Sequence, residues 1–326
     1  MHALGVDVGY GYTKAVSSLG KALAFPSAVG LAEAPGYHID LNGADQLPTR
    51  GGLVTLEDKV AYFYGDKAIR ASRILHQPRD RQWLRSRPYR VLWEAVVGSL
   101  VLPGTHPVIV TGLPVSYFTD RTTLGEVVRQ VLAGRDITPA SITVVPQPFG
   151  SFCARLLDTE GRMINEQQAM AHVGIIDIGH FTTDLMEIKE LEFLQKGSGS
   201  LEVGVANVLD HIRRVAHEQW GRYLEPSECE GVIESGKVRV KGTMYDVAAI
   251  CEVAFADVAS AIAAFARQLW AGGEALDAVI LTGGGGDLFA DLLIAEFSHL
   301  SVIDSPFLAN AQGFMRYALY RQQEDG

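Results

Sequence analysis

Two copies of an Asp-x-Gly pattern are the residues of this sequence best suited to phosphate and metal chemistry. Residues 4–14 read LGVDVGYGYTK and residues 174–184 read GIIDIGHFTTD, so Asp7 and Asp177 hold equivalent positions. Each pattern joins two β-rich runs, which predicts a tight hairpin. Glycine at such a turn lets backbone N–H groups approach an anion closely. An aspartate there would repel a phosphate, so we expect it to hold a hydrated Mg²⁺.

The two predicted turns together could clamp a polyphosphate from both sides. The predicted binding residues are Gly9, Gly11, Tyr12 and Lys14 in the first turn, and Gly179, His180, Thr182 and Thr183 in the second. One Asp-x-Gly hairpin alone would be read as an ordinary β-turn. Two copies with the same internal order favour a shared ligand.

A run of four glycines is a further candidate for ligand binding. It follows the apolar run VILT and precedes a helix predicted over Leu288–Phe297. Consecutive glycines cost conformational entropy, which indicates close passage of a ligand or of another backbone segment. The start of a helix also suits an anion or the polar edge of a base. We therefore predict a nucleotide contact here, with a flexible turn as the alternative. The residues concerned are Gly283, Gly284, Gly285 and Asp287.

Gln147 is a candidate for positioning a water molecule. It stands between two prolines in VVPQPFG, before a short helix predicted over Ser151–Leu157. Proline restricts the backbone on either side, so the polar side chain is held in one place. An ordinary turn is the alternative.

These candidates require a framework that is itself duplicated. VIVTG at Val108–Gly112 and VILTG at Val279–Gly283 are separated by almost the same distance along the chain as Asp7 and Asp177. Two matches in one order predict a duplicated architecture of two α/β lobes. The length of 326 residues agrees, because a single core stops growing at roughly 250–300 residues. Long helices are predicted over Arg121–Ala133, Val205–Trp220 and Val247–Trp270.

Composition excludes several classes of function. The net charge of −10 argues against broad contact with a nucleic-acid backbone. Three cysteines without paired spacing exclude a disulfide framework and a CxxC zinc site, and they fit a reducing compartment. The N-terminus reaches Asp7 before a signal sequence could form, and the apolar stretch Ile250–Trp270 contains three charged residues. We expect a cytoplasmic protein with no membrane span.

A basic segment, residues 66–90, stands out against this acidic background. It holds eight lysines and arginines against two aspartates, with Trp83 and Tyr89 between them. A nucleic-acid surface is one interpretation. A solvated or subunit-facing surface is the preferred one, and the acidic region Glu225–Glu234 of a neighbouring copy would complement it.

Taken in order, the motifs resemble the five-motif signature of the actin/Hsp70/sugar-kinase superfamily. The matches are Asp7-Gly9-Gly11-Lys14 (phosphate-1), Pro146-Gln147-Pro148 (connect-1), Asp177-Gly179-Thr182-Asp184 (phosphate-2), Gly283–Gly286 (adenosine) and Asn310-Ala311-Gln312-Gly313 (connect-2). The short chain and the TGLP turn at Thr111–Pro114 are most similar to ParM/StbA-type bacterial actins. The PRTRC-system protein D branch is a near alternative.

The resemblance implies a two-lobed actin-like ATPase fold, with duplicated ribonuclease-H-like α/β domains and a nucleotide cleft between them. Lobe I would comprise residues 1–158 and 305–326, with a small subdomain at about 26–102. Lobe II would comprise residues 159–304, with a small subdomain at about 200–272.

The resemblance also implies an activity. The chain would bind Mg-ATP, polymerise into filaments and hydrolyse ATP to ADP, for plasmid segregation through a DNA-binding adaptor protein. Asp7 and Asp177 would order the waters of Mg²⁺, and Gln147 would orient the attacking water. Two residues depart from the ParM pattern, which usually has glutamate at the position of Gln147 and a small residue at that of His180. A small-metabolite kinase and a nucleotide-gated scaffold that scarcely hydrolyses ATP are the alternatives.

Overall fold

The computed structural model describes residues 2–32, 50–77, 81–102 and 104–324. The chain divides into two compact units. Unit 1 is Met1–Ala169 with Leu308–Gly326, and unit 2 is Met170–Phe307. The lobe boundaries predicted from the sequence lie nearby, after residues 158 and 304.

Unit 1 is built on a mixed five-stranded sheet with the order β3-β2-β1-β8-β9, beside a small four-stranded sheet with the order β5-β6-β4-β7. Its strands are β1 (Ala3–Val8), β2 (Tyr12–Ser17), β3 (Lys21–Pro26), β4 (Val29–Leu31), β5 (Gly51–Thr55), β6 (Ala61–Gly65), β7 (Leu75–His76), β8 (Val108–Leu113) and β9 (Ser141–Pro146). Its helices are α1 (Asp66–Ala71), α2 (Arg87–Leu100), α3 (Arg121–Ala133), α4 (Gln147–Leu156), α5 (Glu166–Ala169) and, from the end of the chain, α10 (Ala309–Glu324).

Helices cover both faces of the main sheet of unit 1. Leu4 and Val6 of β1 pack with the apolar faces of α2 and α3, including the buried Trp93. The opposite face, which carries Ala3 and Val110, packs against Phe314 of α10. A strand with helices on both sides has no solvent face, which explains why β1 and β8 are apolar almost throughout.

Helices α4 and α10 approach each other at two glycines. A Cβ at Gly313 would lie 1.6 Å from the carbonyl oxygen of Gly150. Next to this crossing, Asn310 Oδ1 accepts hydrogen bonds from the backbone N and the hydroxyl of Ser151, at 3.2 and 2.7 Å. The contact fixes the first turns of both helices.

Unit 2 repeats the plan of unit 1. Its main sheet has the order β12-β11-β10-β16-β17, with β13 paired to β11, and β14 and β15 form a separate hairpin. The strands are β10 (His172–Ile178), β11 (Thr183–Lys189), β12 (Glu192–Phe193), β13 (Gly199–Leu201), β14 (Lys237–Val240), β15 (Thr243–Asp246), β16 (Ala278–Thr282) and β17 (Leu300–Val302). The helices are α6 (Val205–Trp220), α7 (Pro226–Ser235), α8 (Ala248–Leu269) and α9 (Gly286–Ile294).

The predicted duplication is confirmed at the level of strand topology. In each unit the strand that carries the Asp-x-Gly pattern is antiparallel to the next strand and parallel to the VI(V/L)TG strand. Val6 faces Thr111 in unit 1, and the equivalent Ile176 faces Leu281 in unit 2. Thr111 is the fourth residue of its motif and Leu281 is the third, so the register is shifted by one residue, while strand order and strand direction repeat.

Helix α8 is the helix in the described part of the chain that is long and apolar enough to cross a membrane by length and composition. One face of it, centred on Ala254, Val258 and Ile262, packs into the core of unit 2. Ile250, four residues before Ala254, and Phe265 lie at the edge of this face and are only partly buried. A row of residues four apart drifts by about 40° per step around a helix, so it winds away from a straight buried stripe.

Candidate functional site

Three predicted site residues meet at the first hairpin, in unit 1. Lys14 lies directly across the strands from Asp7, and its Nζ is 2.9 Å from Asp7 Oδ2. Gln147 Nε2 donates a hydrogen bond of 2.8 Å to Asp7 Oδ1. Asp7 is only 2% exposed. Both oxygens of this buried carboxylate have a partner, one the ammonium group of Lys14 and the other the amide of Gln147.

Gln147 reaches Asp7 because helix α4 begins with it. The sequence predicted that this helix starts at Ser151, after the two prolines. The helix instead starts at Gln147, with Pro148 in its first turn. Proline is tolerated there because the first N–H groups of a helix have no intrahelical acceptor. The side chain of Gln147 is buried and is thereby fixed by the helix, not by a turn.

The glycine turn between β1 and β2 is tied to the protein through its carbonyl groups. Gly9 N donates to Tyr12 O at 3.1 Å, which closes the turn. Ser27 Oγ donates to Gly9 O at 2.7 Å, and Ser27 N donates to Gly11 O at 2.8 Å. Sequence reasoning missed Ser27, since a single serine after a strand has no distinctive pattern.

The second hairpin, in unit 2, has the same backbone and a different charge. Gly179 N donates to Thr182 O at 2.8 Å, as Gly9 does to Tyr12. Asp177 faces Asp184 across the strands, and both are buried. The hydroxyl of Ser200 donates to Asp184 Oδ1. A second carboxylate therefore stands where unit 1 has a lysine.

Helix α6 fixes the turn of this second hairpin. Val205 N donates to Gly179 O at 3.2 Å, and Ala206 N donates to His180 O at 2.7 Å. These amides at the start of α6 are therefore used by the turn. Burial lowers the pKa of the His180 imidazole, and the nearby Asp210 carboxylate acts in the opposite direction.

The glycine run after β16 packs against the Asp-x-Gly strand of its own unit. Gly283 has φ of +89°, and a Cβ there would lie 2.4 Å from Asp177 Oδ1 and 2.4 Å from Ile178 O. Gly285 N donates to Ile178 O at 2.9 Å. Close passage of another backbone, one of the two possibilities raised by the sequence, is thus confirmed. Helix α9 begins at Gly286, two residues before the predicted start.

Two residues of the run, Gly284 and Asp287, lie at the surface. Gly284 is exposed, and a Cβ there would be in ordinary contact, 3.5 Å, with the ring of Phe307. Asp287 is exposed in the first turn of α9. That this run borders a nucleotide stays a prediction.

The described arginines of the basic segment largely pair within unit 1. Arg90 Nη2 lies 2.7 Å from Glu57 Oε1, and Arg87 pairs with Asp58, so the turn between β5 and β6 is tied to α2. Further partners are Asp120 for Arg81 and Thr123 for Arg85, while Arg79 lies outside the described residues. In the acidic region, Glu228 pairs with Arg222. Local pairing therefore involves several of these charges, and contact of the basic segment with a neighbouring copy stays a prediction.

Known proteins match this chain over most of its length. The model of the actin-like proteins N-terminal domain matches residues 5–150, and that of the archaeal actin homologue MreB-like C-terminal domain matches residues 175–295. An archaeal actin homolog from Thermoplasma volcanium is 25% identical over 309 residues, which are 89% of this chain and 90% of that protein.

Solved structures agree with these family models. A 15-stranded ParM filament from Clostridium botulinum is similar with a TM-score of 0.78 and 23% identity, over 97% of this chain and 98% of that one. An archaeal actin homolog in complex with ADP is similar with a TM-score of 0.74 and 19% identity, over 100% of both chains.

The duplicated units and the fold similarity define the class of two-lobed actin-like α/β folds, as the sequence predicted. With both halves matched by actin-like family models, the chain belongs to the actin-like protein family. The resemblance read from the motifs is thus confirmed.

Proposed function

We propose that this chain is an Mg²⁺-dependent ATPase that polymerises when it binds ATP. The observation that supports this most directly is the buried cluster of Asp7, Lys14 and Gln147 at a glycine turn. A buried lysine–aspartate pair is costly to desolvate, and it is a weak source of stability. A cluster of this kind at a glycine turn suits a ligand that carries both negative and positive charge, such as a metal–polyphosphate complex.

Asp7 and Asp177 are the residues that would hold the waters of Mg²⁺, whose contribution would be to offset the charge of the phosphate oxygens. Among the described residues, no group of three or more histidine, cysteine, aspartate or glutamate side chains could hold a metal ion directly. This fits a site in which most of the metal's ligands are water and phosphate. Lys14 would exchange its contact with Asp7 for a phosphate oxygen.

Gln147 would orient the water that attacks the terminal phosphate. A carboxylate can only accept hydrogen bonds, so the amide nitrogen of Gln147 is the atom used by Asp7. The side-chain oxygen of the same amide is then directed away from Asp7, where it can accept a hydrogen bond from a water. Hydrolysis by positioning and charge stabilisation needs little more from the protein.

The relatives support the remaining parts of the proposal. The ADP complex of an archaeal actin homolog supports nucleotide binding, and the ParM filament supports self-association. We further propose a cytoplasmic role in plasmid segregation, with a DNA-binding adaptor and no direct contact with DNA. The Gly283–Asp287 run would border the adenosine.

Phosphate release and light scattering, measured together with Mg-ATP and no added substrate, test the proposal. Asp177→Ala should abolish phosphate release, whereas Asp291→Ala, which removes an exposed carboxylate on α9, should not. Gln147→Ala should slow phosphate release about 10- to 100-fold and change ATP affinity far less, because it acts on the transition state. Release that needs an added metabolite would support a kinase instead. Assembly without release would support a scaffold.

A further inference from the structure

The hydroxyl of Ser27 is the centre of a small buried network beneath the first glycine turn. Ser27 is 1% exposed and lies between β3 and β4. Its hydroxyl proton is used by Gly9 O, so the 2.9 Å contact between Ser27 Oγ and Thr13 Oγ1 must be donated by Thr13. Ser27 N holds Gly11 O in addition. One residue therefore anchors two carbonyl groups of the turn.

Anchoring those carbonyls sets the direction of the neighbouring amides. In a trans peptide, the C=O and the N–H point in opposite directions. Because Gly9 O and Gly11 O are directed at Ser27, the N–H groups of Tyr10 and Tyr12 are directed away from it. The turn itself is partly exposed, while Ser27 and Thr13 beneath it are buried. The amides of Tyr10 and Tyr12 therefore point away from this buried layer.

In the second hairpin a different donor restrains the equivalent carbonyl group. Gly179 O, which is equivalent to Gly9 O, accepts its hydrogen bond from Val205 N at the start of α6. A serine hydroxyl in one unit and a helix N-terminus in the other thus restrain the same carbonyl. The strands and helices that supply the two donors are not equivalent, so the duplication alone does not explain the shared restraint.

We propose that Ser27 is a positioning residue for phosphate binding: it holds the carbonyls of the Gly9–Gly11 turn toward the protein, so that the turn's amides face the polyphosphate. The role rests on the proposed function. Without the hydroxyl, the Gly9–Tyr10 peptide can rotate and direct its carbonyl oxygen at the phosphates, which is repulsive. ATP and ADP binding would weaken, and adenosine binding would not.

Ser17 provides a matched control on the same hairpin. It is 2% exposed, its Oγ lies 3.1 Å from His2 Nε2, and it stands at the end of β2 remote from the glycine turn. Ser27→Ala and Ser17→Ala therefore each remove one buried, hydrogen-bonded hydroxyl. Their effects on folding should be similar, and their effects on phosphate binding should differ.

The experiment is calorimetric titration of the full chain with Mg-ATP, Mg-ADP and adenosine, with steady-state hydrolysis alongside. Ser27→Ala should weaken ATP and ADP binding about tenfold, leave adenosine binding unchanged, and raise KM with kcat within about twofold. Ser17→Ala should match the unmutated protein. Thr13→Val keeps the side-chain volume and the Ser27–Gly9 hydrogen bond, so it should lose less ATP and ADP affinity than Ser27→Ala. It replaces Ser27→Ala as the test variant if Ser27→Ala does not fold.

Equal ATP affinity in Ser27→Ala and Ser17→Ala, or an equal loss for adenosine and ATP, would overturn the role of Ser27 while leaving the proposed function standing. For Thr13→Val, a loss that falls on adenosine as much as on ATP would also overturn it. An unmutated protein that binds no ATP would overturn the proposed function, and the role of Ser27 with it.

Discussion

The close crossing of α4 and α10 predicts how Gly313→Ala changes the free energy of unfolding. A gain in helix propensity is opposed by steric overlap, and the larger of the two decides the sign. Gly313→Ala places a methyl group in the interior of α10, which by helix propensity alone should stabilise it by about 1 kcal/mol. That methyl would lie 1.6 Å from Gly150 O, 2.5 Å from Gly150 C and 2.7 Å from Ala154 N. All three atoms are backbone, so no side chain can rotate away. Ordinary contact begins near 3.4 Å, and the helices must separate by about 2 Å.

Overpacking of this kind costs about 3 kcal/mol when nothing nearby can adjust, which exceeds the propensity gain. We expect the free energy of unfolding to fall by about 2 kcal/mol or more in urea denaturation followed by circular dichroism. Gly125→Ala is the control, because it lies inside α3 and its nearest new contact is the flexible end of Arg129 at 3.5 Å. It should gain up to about 1 kcal/mol. Equal stability of the two variants would refute the argument from close approach.

Three further outcomes follow from the charges of the described residues. Lys14→Met should lower stability by about 3–5 kcal/mol in urea denaturation, because it leaves the buried Asp7 carboxylate without its cation, and Asp7→Asn in the same chain should restore most of the loss. Arg87→Glu, at an exposed pair with Asp58, should cost at most about 1 kcal/mol, and 1 M NaCl should remove the difference. Burial lowers the pKa of His180 below its unfolded value of about 6.5. The contribution of the neutral imidazole to the free energy of unfolding is therefore present above pH 6.5 and is lost as the pH falls through the folded pKa. His180→Asn should flatten that part of a pH–stability profile.

Periodic and repeated features of this chain could be predicted from its sequence. Helices α3 and α6 have the predicted bounds, since each has a clear apolar stripe between breaking signals. Helix α2 was missed because its first turn lies in the basic segment, although Ser86 at its N-cap and Pro88 in its first turn are ordinary start signals. Helix α10 was missed because its buried face is only weakly apolar and includes Gly313.

A contact between two site residues could be predicted only where one hairpin contains both residues. Asp7 and Lys14 are seven residues apart across a tight turn, so the register brings them together. Ser27 and the amides of α6 act on the turns through backbone carbonyls, which every residue type has. No residue pattern marks such contacts in advance.

Comparison of the two hairpins shows which features the repeat determines and which differ between the units. Register places the residue seven positions after each aspartate directly opposite it, and this holds for Lys14 and for Asp184. The backbone frame is therefore the same in both units, while the charge beside the aspartate is reversed. In unit 1 the pair is close to neutral and holds an ammonium group that a phosphate can attract. In unit 2 the two buried carboxylates favour a cation. Taken each by itself, the first hairpin is therefore suited to an anionic group and the second to a cation.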